Sequence, residues 1–280
     1  METHSIPDIQ SLPDERNIPI DKVGVKGLRY PISVRDRAKS LQHTVGIFDL
    51  FVNLPHDFKG THMSRFIEVL NEYRGEISMR KFQEVLERIK TRLHARSAHM
   101  NVEFPYFVEK AAPVTATPGL MSYTCFMRGS LSDSFDLIAG VEVPVTTVCP
   151  CSKEISAYGA HNQRGIVRVQ LRFKKFFWIE EIIEIVESSV SSEIYSLLKR
   201  PDEKYVTEKA FDNPMFVEDV VRAALSRLRE KNNFPWYRIE AENFESIHNH
   251  SAYAMIEKDF YPSPDCFQGT YQTNCNGYLK

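Results

Sequence analysis

Cys149-Pro150-Cys151, with His161 a short way further on, are the side chains in this sequence best suited to hold a borderline metal and move protons near neutral pH. A structural zinc site normally takes four ligands, commonly as C-x2-C pairs. A C-x-C pair with no second cysteine pair nearby fits that poorly. An incomplete ligand set beside a second, reactive thiol suits a catalytic metal better. Two buried, inert cysteines are the plainer alternative. His161 lies in Gly159-Ala160-His161-Asn162-Gln163-Arg164-Gly165, a polar loop ahead of a strand. Loops on rigid scaffolds carry function more often than cores do, although an ordinary exposed histidine would look the same. Further on comes Glu245-Ser246-Ile247-His248-Asn249-His250. If that segment stays extended, His248 and His250 share a face, and two imidazoles with a carboxylate suit ligation or general acid–base work. A polar turn after a strand competes with that reading.

Two further positions are weaker on local grounds. Glu218 stands near the start of a helix, where the dipole favours a carboxylate anyway. His62-Met63-Ser64-Arg65 opens another helix, whose N-terminus can receive phosphates or simply be capped. There is no P-loop, no G-x-G-x-x-G and no G-x-S-x-G, which argues against the common nucleotide-binding and hydrolase classes.

The elements that must carry these groups follow one order twice. Val23–Val34 and Thr44–Leu54 read as strands, rich in β-branched and aromatic residues. Met63, Phe66, Ile67 and Leu70 mark a helix, and Phe82, Val85, Leu86, Ile89 and Leu93 mark a second. Strands at Val102–Val108 and Leu120–Arg128 complete a β-β-α-α-β-β unit. The second half offers strands at Phe135–Val148 and Ile166–Phe173 and a long helix from about Phe177 to Leu198. Another helix is predicted to start at Asp212-Asn213-Pro214, read as an N-cap followed by an N1 proline. Strands at Trp236–Glu242 and Ala252–Glu257 close it. The repeat is one of pattern only. The expected division is an N-terminal arm over 1–20, a first unit over 21–132, a second over 133–260 with most of the chemistry, and an irregular tail over 261–280. Open antiparallel edges invite pairing, so a cyclic oligomer that joins sheets edge to edge is expected.

Composition bounds the class. A 42% hydrophobic and 26% charged chain of 280 residues can bury a core without disulfides. A net charge of -2 gives no sign of a nucleic-acid or membrane partner. Five cysteines, an odd and sparse set, and no signal-like apolar start favour a reducing cytoplasm.

The segments Val23–Leu28 with Pro31-Ile32, Thr61–Phe66, Pro144–Gly165, Asn213–Asp219 and Glu242–Tyr253 resemble the prokaryotic type IB GTP cyclohydrolase I family. The resemblance spans nearly the whole chain but not the tail with Cys266 and Cys275. It implies an α+β tunnelling fold of two tandem β-β-α-α-β-β units, forming a homotetramer with sites at subunit interfaces. It implies conversion of GTP and water to formate and 7,8-dihydroneopterin triphosphate, on the path to folate and to 7-deazaguanine modification of tRNA. Carried over to matching positions, it makes Cys149, His161 and Glu203 ligands of one divalent transition metal (zinc, manganese or iron), with no organic cofactor. Cys151 becomes the essential free thiol. Glu218 becomes the carboxylate that anchors guanine, and Glu245, His248 and His250 fall in the catalytic segment. Arg65 is a candidate for the triphosphate, as is Lys153. Three other readings are a nitrile reductase of the same fold, an archaeal-type cyclohydrolase giving a cyclic phosphate, and a non-catalytic, metal-stabilised binding module.

Overall fold

The computed structural model describes residues 9–73 and 79–258. The first part of the arm and the expected tail, with Cys266 and Cys275, lie outside the described residues. The described arm is tied to its own chain, because the amides of Lys59 and Gly60 donate to the carbonyls of Leu12 and Gln10.

In the first half, β1 (Ile20–Asp36) and β2 (Ser40–Leu54) lead to α1 (Met63–Glu72) and α2 (Met79–Arg92), then to β3 (Ala98–Ala111) and β4 (Pro118–Leu131). The second half runs β5 (Phe135–Val148), α3 (Pro150–Ile155), β6 (Asn162–Arg172), α4 (Ile179–Glu187), β7 (Ser192–Glu193), α5 (Arg200–Asp212), α6 (Val217–Glu230), β8 (Trp236–Asn243) and β9 (Ala252–Glu257). The strands form one antiparallel sheet in the order β1-β2-β3-β4-β5-β6-β8-β9, with β7 paired to β5. The halves are therefore joined through β4 and β5, and β1 and β9 are the edges.

Alternation along the strands sets which face is buried. Phe48, Leu50 and Val52 of β2, Met100, Val102 and Phe104 of β3, and Val167, Val169 and Leu171 of β6 all point into one core. The helices supply their stripes to the same cluster: Phe66, Val69 and Leu70 from α1, Phe82, Val85, Leu86 and Ile89 from α2, and Val220, Val221, Ala224 and Leu228 from α6. Burying each of these larger side chains is worth about 1.5–3 kcal/mol. Across β4, β5, β6, β8 and β9 the opposite sheet face carries a polar network. Arg168 pairs with Glu142, Arg128 reaches Gln170, and Gln170, Arg238 and Tyr253 all donate to Glu240.

α4 bolts the halves together. Glu180, Glu184 and Glu187, at i, i+4 and i+7, lie on one helix face. Glu180 accepts from the Tyr106 hydroxyl at 2.8 Å and the Arg37 amide at 3.0 Å. Glu184 pairs with Arg37, and Glu187 takes the Tyr123 hydroxyl and Lys110. Burial, then the Glu180 contact, pushes the Tyr106 hydroxyl well above the ordinary tyrosine range, which keeps it a donor.

Three expectations are corrected. The predicted long helix ends at Glu187 rather than Leu198. Ser188 and Ser189 turn their hydroxyls back onto the carbonyls of Glu184 and Ile185, which competes with helix continuation. The Ser191 hydroxyl oxygen then accepts from the Val148 amide at 3.1 Å, and Ser192–Glu193 pair with β5. Second, a helix over Arg200–Asp212 was not expected. Third, Asp212 ends that helix rather than capping the next. Asn213 is its C-cap and donates its side-chain amide to the Val190 carbonyl, while α6 begins at Val217 with Asp219 accepting from the Phe216 amide.

Among the described residues no helix is long and apolar enough to cross a membrane.

Candidate active site

One end of the second-half sheet gathers most of the candidate residues. β5 finishes at Val148, β6 starts opposite it at Asn162, and β8 finishes at Asn243 beside Gly165. Cys149 leaves β5 as the N-cap of α3, with Pro150 at the first helical position, where its missing N–H costs nothing. The predicted turn after Cys149 is thus a short helix. The Cys149 sulfur accepts from the Ser152 amide at 3.5 Å, and Cys151, in the first turn, is exposed.

His161 is clasped to this corner. Its carbonyl accepts from the Cys149 amide at 3.1 Å, and its own amide donates to the Ser152 hydroxyl at 3.2 Å. The imidazole Nδ1 stands 3.0 Å from Gln163 Oε1, 3.5 Å from Ser246 Oγ and 3.9 Å from Glu245 Oε2. Gln163 continues to Thr147 Oγ1 at 3.0 Å. Gln163, Thr147, Ser152 and Ser246 are the contacts that the sequence reading missed. The only sequence signal for the first two was a polar residue at an inward-facing strand position.

The chain enters this end again after β8. The Phe244 amide donates to the Arg164 carbonyl at 2.8 Å, which sets Glu245 beside His161. His248 and His250 lie in a turn rather than in an extended strand, yet their rings stack with centroids 5.0 Å apart. Glu218 is brought to the same end, in the first turn of α6. The Met215 amide donates to the Val148 carbonyl at 3.0 Å, so the entry to α6 is tied to the last residue of β5. Glu218 is exposed there and open to a ligand. Lys153 donates to the Phe211 carbonyl at the end of α5 and lies over the Phe211 ring.

Glu203 and Arg65 are not joined to this group by any contact among the described residues. Glu203 faces outward in the first turn of α5, where its neighbour Asp202 is the buried carboxylate. Asp202 accepts from the amides of Val114, Thr115 and Lys199 and from the Thr115 hydroxyl. Arg65 belongs to α1 in the first half and reaches the Arg92 carbonyl at 3.5 Å.

Two of the donors at the corner, a thiol and an imidazole, are of the types that divalent ions take. Cys149 offers a sulfur that already accepts an amide proton, and the contacts at Nδ1 of His161 leave its other ring nitrogen for a ligand. Among the described residues, no three His, Cys, Asp or Glu side chains stand together in a metal-ligating group. The third expected donor, Glu203, is therefore not beside the first two.

A cavity of about 730 Å³ opens elsewhere, between α2 and α4. Its lining is mostly apolar and aromatic, including Phe104, Phe173, Phe177 and Cys125, and includes none of the candidate residues. Burial pushes the Cys125 thiol up, so it is an inert core cysteine rather than a nucleophile.

A family model described as type I GTP cyclohydrolase FolE2 matches residues 6–254. The GTP cyclohydrolase FolE2 of Syntrophus aciditrophicus is 61% identical over 253 residues, covering 90% of this chain and 99% of that protein. The protein of the same name from Citrifermentans bemidjiense is 58% identical over 254 residues, covering 91% and 95%. Among solved structures, a mutant of Bacillus sp. TB-90 urate oxidase aligns with a TM-score of 0.51 at 9% identity, over 85% of this chain and 100% of that one. A uricase from Bacillus fastidious gives 0.51 at 7% identity, over 88% and 93%. These two likenesses concern the fold alone. The family match and the FolE2 relatives together establish that the chain belongs to the type I GTP cyclohydrolase FolE2 family.

Proposed function

We infer that this chain is a type IB GTP cyclohydrolase, converting GTP and water to formate and 7,8-dihydroneopterin triphosphate at the start of folate biosynthesis. One observation carries the placement of the site. The three family segments holding Cys149 and His161, Glu218, and Glu245 meet at one end of the sheet. Nitrile reduction and a non-catalytic module are not favoured, since the FolE2 relatives carry the cyclohydrolase name. Product analysis separates the remaining alternative, because an archaeal-type enzyme would release a cyclic phosphate.

Cys149 and His161 would hold a divalent ion, with Glu203 as the third donor once brought to them. Such an ion supplies activation of the attacking water at neutral pH. The chain's own residues do the rest. Glu218, exposed in the first turn of α6, accepts N1–H and the 2-amino group of guanine. Adenine lacks that donor pair and would leave the carboxylate unmatched. As water adds at C8, a proton must reach N7. Cys151, exposed two residues after Cys149, would supply it, with His248 as the other candidate. Loss of formate, opening of the ribose, rearrangement and closure of the pterin ring break and form C–N and C–O bonds, and each needs protons moved. Glu245, His248 and His250 would serve them.

A single chain leaves the rim of this site apolar. Ile155, Tyr158, Phe216, Phe244 and Ile247 are all exposed around it. Such a patch marks a surface that a partner covers. This supports two tandem tunnelling-fold units assembling edge to edge into a homotetramer, with Arg65 of one subunit reaching the triphosphate bound at another. The urate oxidase likeness supports the same fold. Sedimentation of the full chain tests the tetramer, and a monomer with full turnover would remove the interfacial site.

A further inference from the structure

We infer that Gln163, anchored by Thr147, fixes His161 as its Nδ1–H tautomer and so leaves the lone pair on Nε2. The inference deepens the reading of His161 as a metal donor and rests on it. Gln163 is 6% exposed and Thr147 is fully buried, and the two are cross-strand partners on β6 and β5. Gln163 Oε1 lies 3.0 Å from His161 Nδ1 while its amide nitrogen lies 3.0 Å from Thr147 Oγ1. A threonine hydroxyl can donate or accept, so Thr147 alone does not decide which way the amide points. Glu245 decides it. Its carboxylate lies 3.9 Å from the same Nδ1, and an ionised carboxylate only accepts. A lone pair on Nδ1 would face that carboxylate, whereas a proton on Nδ1 is attracted by it and donates to Gln163; the Ser246 hydroxyl at 3.5 Å can serve either tautomer. The glutamine is then a positioning residue. It holds the ring plane and the tautomer, and buried partners of this kind tune how strongly an imidazole binds a metal.

The test uses the metal-free full chain with ¹⁵N-labelled histidine at about pH 8, where a free imidazole is neutral. Long-range ¹H–¹⁵N correlation reads the His161 tautomer, and zinc affinity is read by competition with a chromogenic chelator. Wild type should give the Nδ1–H form. Gln163→Leu should move His161 away from it and weaken zinc by about 10–100-fold. Gln163→Glu, which keeps an acceptor, should restore both. If Gln163→Leu does not fold, Thr147→Val removes the anchor at nearly constant volume and should move both readouts the same way, by less. An Nδ1–H form that survives unchanged in the Leu or Val variant, or an Nε2–H form in wild type, overturns the inference. A Cys149→Ala protein with wild-type zinc affinity would instead remove the metal reading, while the tautomer still decides the role of Gln163.

Discussion

The backbone amide of Cys149 donates to the carbonyl of His161 at 3.1 Å. This bond closes the α3 loop and fixes two chemically different donors side by side through main chain, before any ligand arrives. The side chains of the C-x-C pair are thereby separated in setting. Cys149 stays at the cap, where its sulfur meets the Ser152 amide, and Cys151 turns outward. Cys149→Ala should therefore lose bound metal, whereas Cys151→Ala should retain it and lose formate release. Metal analysis of the purified variants beside a formate assay separates the two. Full metal in the Cys149 variant, or full turnover in the Cys151 variant, would reverse the assignment.

Glu218 sits exposed at the entry to α6, whose position is set by the bond from Met215 to Val148. Its replacement by Gln should leave stability within about 0.5 kcal/mol, as for other surface positions. It should lower kcat/KM for GTP at least about a hundredfold, because a guanine-matched acceptor is lost. Steady-state kinetics and a urea melt read both. A variant with unchanged kcat/KM would mean that the base edge is held elsewhere.

Gly165 stands where β5, β6 and β8 crowd together. A Cβ there would lie 2.6 Å from Asn243 Oδ1 and 2.8 Å from the Glu242 carbonyl. Gly165→Ala must push β8 away, and overpacking of this kind costs about 1–3 kcal/mol. The strand that moves leads directly to Glu245, so turnover should fall with stability. Denaturant melts together with formate assays check this, and an alanine variant with wild-type values of both would show that the close approach is dispensable.

Glu193 gives the fold a pH dependence at this end of the sheet. Burial pushes its carboxyl up, but Lys209 and the Tyr195 hydroxyl pull it down further, so it titrates below the ordinary carboxylate value. A depressed folded-state value means that the stabilisation is present above the unfolded-state value of about 4.3 and is lost as the pH falls below it. Glu193→Gln should be less stable by about 1 kcal/mol at neutral pH, a figure reduced for solvent screening at the half-exposed Lys209. Its melting temperature should also fall less steeply than that of wild type below about pH 4. Parallel melting curves for the two proteins across that range would remove the pair from the pH response.

Much of this was legible in the residues, and the exceptions have physical causes. The stripes of α1, α2 and α6 are apolar residues at helical spacing. Phe66 and Leu70 of α1, Phe82, Val85, Leu86 and Ile89 of α2 and the whole α6 face bury as read, whereas Met63 is exposed and Ile67 and Leu93 are only partly buried. α5 left no such trace because only Asp202 and Ala210 of it are buried. It is held by polar bonds from Asp202 to the loop before β4 and from Lys209 to Glu193, which have no periodicity. The serines after α4 look helix-compatible in sequence and stop the helix only because their hydroxyls find backbone partners. At the site, reactive residue types marked Cys149, Cys151, His161 and the Glu245 segment. Gln163 and Thr147 were silent, since a polar residue in a strand reads as solvent-facing until the register places it inside.

The most direct test is to incubate the metal-reconstituted chain with GTP and follow formate release together with the pterin chromophore. The account predicts one formate for each pterin triphosphate formed, with both signals absent in Cys151→Ala. Intact GTP after prolonged incubation of the metal-loaded wild type, or a pterin signal without formate, would contradict it.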